Sequence, residues 1–275
     1  MSWIQNHKDC EGEYNNMTNT NAIRCTFLGT GTSMGVPVAG GFGRNWVSKD
    51  PRNERWRCSA WIQSEDTSVI IDAGPEFRLQ TIRAGVEWID LVLITHEHMD
   101  HIAGLDDLRA YNYKQEFPIP LFTNEESATA IRQRFDYMFE PIKYPGSTSL
   151  VIEIIDKTRT FRDLTITPLP CTHGNVDVQG YRINQLSYLT DVKSIPESTK
   201  ERIRGSSVMV LSGLRWSPSH PTHLTIPEAV EIAEELEIPM TYLIHMNSYV
   251  DHGKSQKKLP PHVRLAYDMQ EITIP

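Results

Sequence analysis

A mixed α/β sandwich, with sheets covered by helices, is the fold class that this sequence predicts. Three observations lead there. Short apolar runs bounded by Gly, Pro or charge recur in both halves of the chain. They come as hairpin-like pairs alternating with helical stretches, the pattern of sheets packed under helices. No internal repeat, low-complexity linker or break in composition divides the chain. With 275 residues, 39% of them apolar and 23% charged, there is enough material for one large core.

Residues 1–22 are polar and rich in Asn, which predicts a loosely ordered extension, with Met17 as an alternative start, before a single domain over 23–275. Strands are expected at 24–28, 60–63, 68–72 and 91–95, with helical character at 76–84. Asn124 is placed to cap a helix over 125–139. Further strands are expected at 150–155, 164–168, 179–183, 186–189 and 208–211. A helix over 226–236 follows, capped by Thr225 with Pro227 in its first turn. Strands at 242–244 and 263–267 close the chain.

The net charge of −8, from 27 basic and 35 acidic residues, argues against a broad grip on a nucleic-acid backbone. Stable nucleic-acid binding is therefore not expected, although a local basic pocket for one phosphate is allowed. The four cysteines, Cys10, Cys25, Cys58 and Cys171, form no C-x-x-C pair and suit a reducing compartment. The N-terminal stretch has no apolar segment of the secretory kind, and nothing approaches the length of a membrane span. A cytoplasmic enzyme-sized domain with no membrane partner is the expectation.

Chemistry concentrates directly after the apolar run at 91–95. His96, Glu97, His98, Met99, Asp100 and His101 place four potential metal ligands within six residues. His96 and His98 can converge on one metal from an extended turn, while Asp100 and His101 reach a second as the chain bends into a helix. A single histidine is ordinarily a surface or satisfied core residue; three with an aspartate behind a buried strand point to metal. His173, Asp191 and His245 each follow an apolar run in the same way, the signature of a site assembled at one sheet edge. Glu97 reads as structural or solvent-facing, and Cys171 as a packed strand-end thiol.

With those residues in place, the sequence resembles the metallo-β-lactamase-fold hydrolases. Their H-x-H-x-D-H motif stands intact at residues 96–101, and their later His, bridging Asp and final His match His173, Asp191 and His245. The stretches 27–32 (FLGTGT) and 70–74 (IIDAG) are also similar. The resemblance implies a four-layer αββα sandwich and two divalent ions, zinc or manganese. His96, His98 and His173 would hold one ion, Asp100, His101 and His245 the other, and Asp191 would bridge them. Asp72 would orient a ligand, or else only close the turn with Gly74.

Three further stretches, 104–109 (GLDDLR), 221–225 (PTHLT) and 259–268 (LPPHVRLAYD), together with 50–55 (DPRNER), are similar to the branch containing phosphoribosyl cyclic phosphate phosphodiesterase. That branch also resembles tRNA 3′-processing nucleases and the pyrroloquinoline quinone biosynthesis B protein. In it, the histidine matched by His223 assists the leaving group; the other reading of His223 is an exposed residue near a helix cap. His220 is a second candidate for contact with substrate. Arg109 could clasp a substrate phosphate through its planar fork, or pair with Asp106 or Asp107. Members of the branch often carry a cysteine cluster after the Gly-Val-Pro turn; residues 38–48 contain none, so no structural zinc is expected, and Trp46 is a candidate to pack that loop.

The expectation is thus a phosphodiesterase for a cyclic or small phosphodiester, with Asp100 orienting the nucleophile and His223 protonating the leaving group. A tRNA 3′-endonuclease and a lactone or thioester hydrolase share the ligands; a non-enzymatic carrier is a further alternative, which loss of ligands would support, and none is lost. The resemblance also allows a homodimer.

Overall fold

The computed structural model describes residues 22–43, 48–140 and 146–275. Apart from Ala22, the expected N-terminal extension lies outside the described residues, as does Trp46.

The first half supplies β1 (Ile23–Gly29), β2 (Ser59–Gln63), β3 (Ser68–Ile71), β4 (Leu91–Leu93), β5 (Ile119–Thr123) and β6 (Leu150–Ile154). The second supplies β7 (Arg159–Phe161), β8 (Leu164–His173), β9 (Val176–Ile183), β10 (Leu186–Leu189), β11 (Val208–Ser212), β12 (Met240–Ile244) and β13 (Val263–Leu265), and β14 (Glu271–Ile274) returns to the first sheet. Among the described residues these form two seven-stranded sheets, in the orders β14-β1-β2-β3-β4-β5-β6 and β13-β12-β11-β10-β9-β8-β7. Each sheet is antiparallel on one side and parallel on the other: β3 to β6 run parallel in the first, β10 to β13 in the second.

Parallel strands need crossovers, and helices fill them. The helices are α1 (Phe77–Ala84), α2 (Met99–Ile102), α3 (Arg109–Gln115), α4 (Glu125–Arg134), α5 (Glu197–Ile203), α6 (Ile226–Glu235) and α7 (His252–Gln256). Phe27, Ile62, Ile71 and Leu93 of the first sheet meet Ile166, Tyr181, Tyr188 and Ile244 of the second in a central layer. Ile70, Val92 and Leu121 face the other way, under Phe77 of α1 and Ile131 of α4. Leu211 and Leu243 likewise meet Ile226, Ala229 and Ala233 of α6. That is the four-layer αββα arrangement. Each fully buried Leu, Ile or Phe in it contributes about 1.5–3 kcal/mol.

Local signals account for the helix ends. In α6, Thr225 and Glu228 form a reciprocal capping box and Pro227 sits in the first turn, where its missing N–H costs nothing. Asn124 accepts from the Ser127 N–H to open α4. That helix stops at Arg134, short of the expected 139, because Phe135 leaves helical geometry and a 3₁₀ turn over Asp136–Met138 follows. Several elements were not foreseen. Strand β5 was missed, its period-2 pattern broken by Pro118 and Pro120. Strand β14 and helix α5 were also missed. Strand β8 runs five residues past its expected end, so that His173 is its last residue.

The two sheets are joined at one end. Tyr181 donates its hydroxyl hydrogen to the Ile94 carbonyl (2.6 Å), and the Gln179 N–H donates to the Thr95 carbonyl (2.8 Å). Thr95 immediately precedes His96, so this cross-link fixes the stem on which the histidine run stands.

Candidate metal centre

The predicted ligands gather where the strands of both sheets end. Asp72 follows β3, His96 and His98 lie between β4 and α2, and Asp100 and His101 stand on α2. His173 ends β8, Asp191 follows β10, and His245 follows β12. Three of these residues hold the left-handed backbone region: Asp72 at φ 60°, Asp191 at φ 52° and His245 at φ 59°. Residues with a Cβ reach it at a cost of about 1–2 kcal/mol, and such conformations cluster at functional sites. The turn they make aims each side chain back over the sheet edge.

Three groups of donor atoms lie within 4.8 Å of one another: His96, His98 and Asp191; His101, Asp191 and His245; and His173, Asp191 and His223. Asp191 belongs to all three, the position a bridging carboxylate would occupy. His96 Nε2 lies 2.9 Å from His98 Nδ1 and 3.8 Å from Asp191 Oδ2. His245 Nδ1 lies 2.7 Å from Asp191 Oδ1. His101 Nε2 lies 3.6 Å from Asp191 Oδ2 and 3.2 Å from Asp100 Oδ2, which draws Asp100 to this end.

Behind the donors stands a layer of orienting groups. Asp72 is fully buried and accepts from the Thr95 N–H (2.8 Å) and the Thr95 hydroxyl (2.9 Å). It also stands 2.7 Å from His101 Nδ1, which turns His101 Nε2 toward Asp100 and Asp191. His173 Nδ1 donates to the Thr222 carbonyl (2.7 Å), leaving Nε2 as its ligating atom. Sequence reasoning missed Thr222 in this role, although it lies in the Pro-Thr-His-Leu-Thr stretch. It also missed Cys58, whose Sγ is 3.7 Å from His245 Nδ1 and for which the sequence offered no signal.

The electrostatics are those of a cation site. Burial disfavours a charged His96, and the neighbouring His101 adds to that, so its pKa falls well below the ordinary value. Burial would raise Asp191, but the charges of His245 and His101 outweigh it and hold the carboxyl well below its usual range. Burial likewise opposes a charged His245, yet Asp191 carries it up to about 10. Burial would raise Asp100, and the neighbouring His101 overrides it downward. Nε2 of His101 and Nε2 of His245 are buried with no hydrogen-bond partner among the described residues. Buried imidazole nitrogens left unpaired beside carboxylates fit divalent ions, and the histidine and carboxylate donors suit zinc or manganese.

The remaining expected residues divide. His223 joins the cluster: its ring lies 4.3 Å from that of His173 and 4.8 Å from that of His245. Its Nδ1 is buried without a partner among the described residues, and burial, then His245, push its pKa down to about 3. Its grouping with His173 and Asp191 also puts it within ligating reach, which the sequence reading did not anticipate. His220 stands beside it, rings 5.0 Å apart, where its Nδ1 meets the Thr222 hydroxyl. Arg109 is not brought to the cluster. It is exposed, 3.6 Å from Asp106, and lines a separate hollow with Phe77, Arg78 and Thr81. Glu97 accepts from the Ser127 hydroxyl, and Cys171 is buried in the layer between the second sheet and its helices.

Residues 67–246, most of the chain, match the family model of the β-lactamase superfamily domain. The chain belongs to that family. It is a metallo-β-lactamase-fold hydrolase, as a crystal structure of a diphosphatase from the PhnP family also indicates: 34% identity, TM-score 0.84, covering 91% of this chain and 97% of that one. An octanoyltransferase of Porphyromonas gingivalis is 35% identical over 92% of the chain; the chain spans about half of that relative's length (52%). The Zn²⁺-bound PqqB of Methylobacterium extorquens shares the fold, with TM-score 0.72 and 16% identity over 90% of this chain and 99% of that one. Among the described residues no helix is long and apolar enough to cross a membrane.

Proposed function

We propose that this protein is a phosphodiesterase acting on a cyclic or small phosphodiester with two divalent ions, zinc or manganese. His96, His98 and His173 would hold one ion, Asp100, His101 and His245 the other, and Asp191 both. When bound, such a pair supplies Lewis acidity and a water whose pKa is lowered to roughly 7.

The observation that carries the reading is His223. It stands against His173 and His245 with no hydrogen-bond partner at Nδ1 among the described residues, next to Thr222, whose carbonyl orients His173. A half-buried imidazole beside the donors would give a proton to a departing oxygen. An anionic diester brought against it raises its proton affinity, offsetting the burial that lowers it. Asp100, held charged by His101, would orient the attacking water.

The test compares two leaving groups on enzyme of defined metal content. His223→Ala is expected to slow hydrolysis of an alkyl or cyclic ribose diester by roughly 10²–10⁴-fold. It should affect a bis(p-nitrophenyl) ester far less, because that leaving group departs without a proton. Equal losses on both substrates, or no metal-dependent diesterase activity, would overturn the proposal.

A second reading, hydrolysis of an acyl ester or thioester, has one observation in its favour: the similarity to the octanoyltransferase. Octanoyl thioesters in the same panel test it, and turnover of these in preference to every diester would establish it.

A further inference from the structure

His223 stands on the loop that leaves β11 after Ser212 and enters α6 at Ile226. Backbone hydrogen bonds pin both ends of that loop. The Gly213 N–H donates to the Ile244 carbonyl (2.8 Å) and the Leu214 N–H to the Leu224 carbonyl (2.9 Å). The Leu224 N–H donates to the Val192 carbonyl (2.8 Å) and the Ile226 N–H to the Arg215 carbonyl (2.8 Å). Between these pins, from Trp216 to His223, no backbone group is bonded to another backbone group among the described residues. A segment without backbone pairing keeps one shape only where side chains or water take its polar groups.

Arg215 supplies two such contacts. Its Nε donates to the Pro218 carbonyl (2.8 Å) and its Nη2 to the Ser219 carbonyl (3.3 Å), so the planar fork folds the chain back on itself just before His220 and His223. Ser219 is also tied to α6: its hydroxyl donates to Glu228 (3.3 Å), which Lys193 holds at 2.8 Å. Nearer to His223, the Thr222 carbonyl accepts from His173 Nδ1 (2.7 Å) and the Thr222 N–H meets His220 Nδ1 (3.3 Å). The bond from His173 fixes one atom of the chain and leaves the peptide free to pivot about it. The two bonds from Arg215, to successive carbonyls, remove that freedom.

We propose that Arg215 is a positioning residue for His223. Its grip on Pro218 and Ser219 sets the direction in which the chain reaches Thr222, and so keeps the His223 ring 4.3 Å from that of His173 and 4.8 Å from that of His245. Arg215 belongs to none of the donor groups and acts only through the loop. The inference rests on the reading of His223 as the proton donor to the leaving oxygen. Such a donor works only within hydrogen-bond reach of that oxygen, and a misplacement of about 1 Å can cost roughly 10²-fold in rate.

Steady-state kinetics of the full chain at defined metal content, on an alkyl diester and on a bis(p-nitrophenyl) ester, test it beside His223→Ala. Arg215→Gln is expected to lower kcat for the alkyl diester by about 10–100-fold with KM little changed. The aryl ester, which needs no proton, should lose less than about threefold. Metal content should stay at the wild-type level, because no donor is altered. Arg215→Lys, whose ammonium can meet one of the two carbonyls, should fall between Arg215→Gln and the wild type. If circular dichroism shows Arg215→Gln unfolded, Arg215→Lys decides by the same comparison. Equal losses on both esters, a loss confined to KM, or full activity on the alkyl diester would each overturn the proposal. Should His223→Ala itself slow both esters equally, the reading of His223 falls and this proposal with it. Leaving-group dependence in His223→Ala without any in the Arg215 variant overturns the positioning role alone.

Discussion

Replacing Asp72 by Asn should weaken metal binding while leaving the fold intact. Asn keeps the size of the side chain and tolerates the left-handed backbone at φ 60°. What changes is one face of the group. The Asn oxygen can still accept from the Thr95 N–H, but its NH₂ then points at His101 Nδ1, which now donates to a carboxylate at 2.7 Å. His101 relieves the clash by moving its proton to Nε2, the nitrogen that faces Asp100 and Asp191. A protonated Nε2 cannot ligate. A hydrogen bond to a charged group is worth about 1.5–3 kcal/mol, or roughly 10–100-fold in affinity. Loss of an orienting carboxylate behind a metal-bound histidine costs a similar 10–100-fold. Competition with a chromophoric chelator measures the effect, and circular dichroism with the metals removed checks the fold. The reasoning fails if the variant holds its metals as tightly as the wild type. It fails equally if the variant loses them only because it has unfolded.

Three further outcomes follow from the structure. Asp268 is buried, and burial raises its pKa to about 7 against Trp56 and Thr30 hydrogen bonds that lower it. The folded state therefore favours its protonated form: the destabilisation is absent below the unfolded value of 3.8, grows as pH rises, and is complete above about 7. Asp268→Asn should flatten the dependence of chemical-denaturation midpoints on pH across that window, and an unchanged slope would contradict the assignment. Thr225→Ala breaks the capping box of α6 and should cost about 1 kcal/mol by denaturant titration, with little effect on metal affinity. Leu93→Ala, in the layer between the sheets, should cost about 2–5 kcal/mol; a smaller loss would mean that the layer collapses around the gap.

The sequence by itself determined the chemistry of the centre. Short-range composition is enough for that, because histidine and aspartate after buried strands have few other uses. It placed His96, His98, Asp100 and His101 together through their spacing, and marked His173, Asp191 and His245 as strand-end residues. It also specified the caps of α4 and α6, which depend on neighbours three residues apart. It could not see β5 or β14, whose pairing is decided by partners far away in the chain; β14 lies against β1 across most of the sequence. Arg109 shows the same limit in the site. Its closeness in sequence to the histidine run suggested a phosphate clamp, and the fold turns it outward to Asp106. Arg55, 1% exposed with its Nη2 donating to Asn53 and the Val250 carbonyl, shows the converse, since only the closing of distant loops buries it. Tertiary structure likewise decided that Asp191 is shared by every donor group and that His223 reaches His173 and His245. Both facts depend on where two sheets meet, and no local pattern encodes that distance.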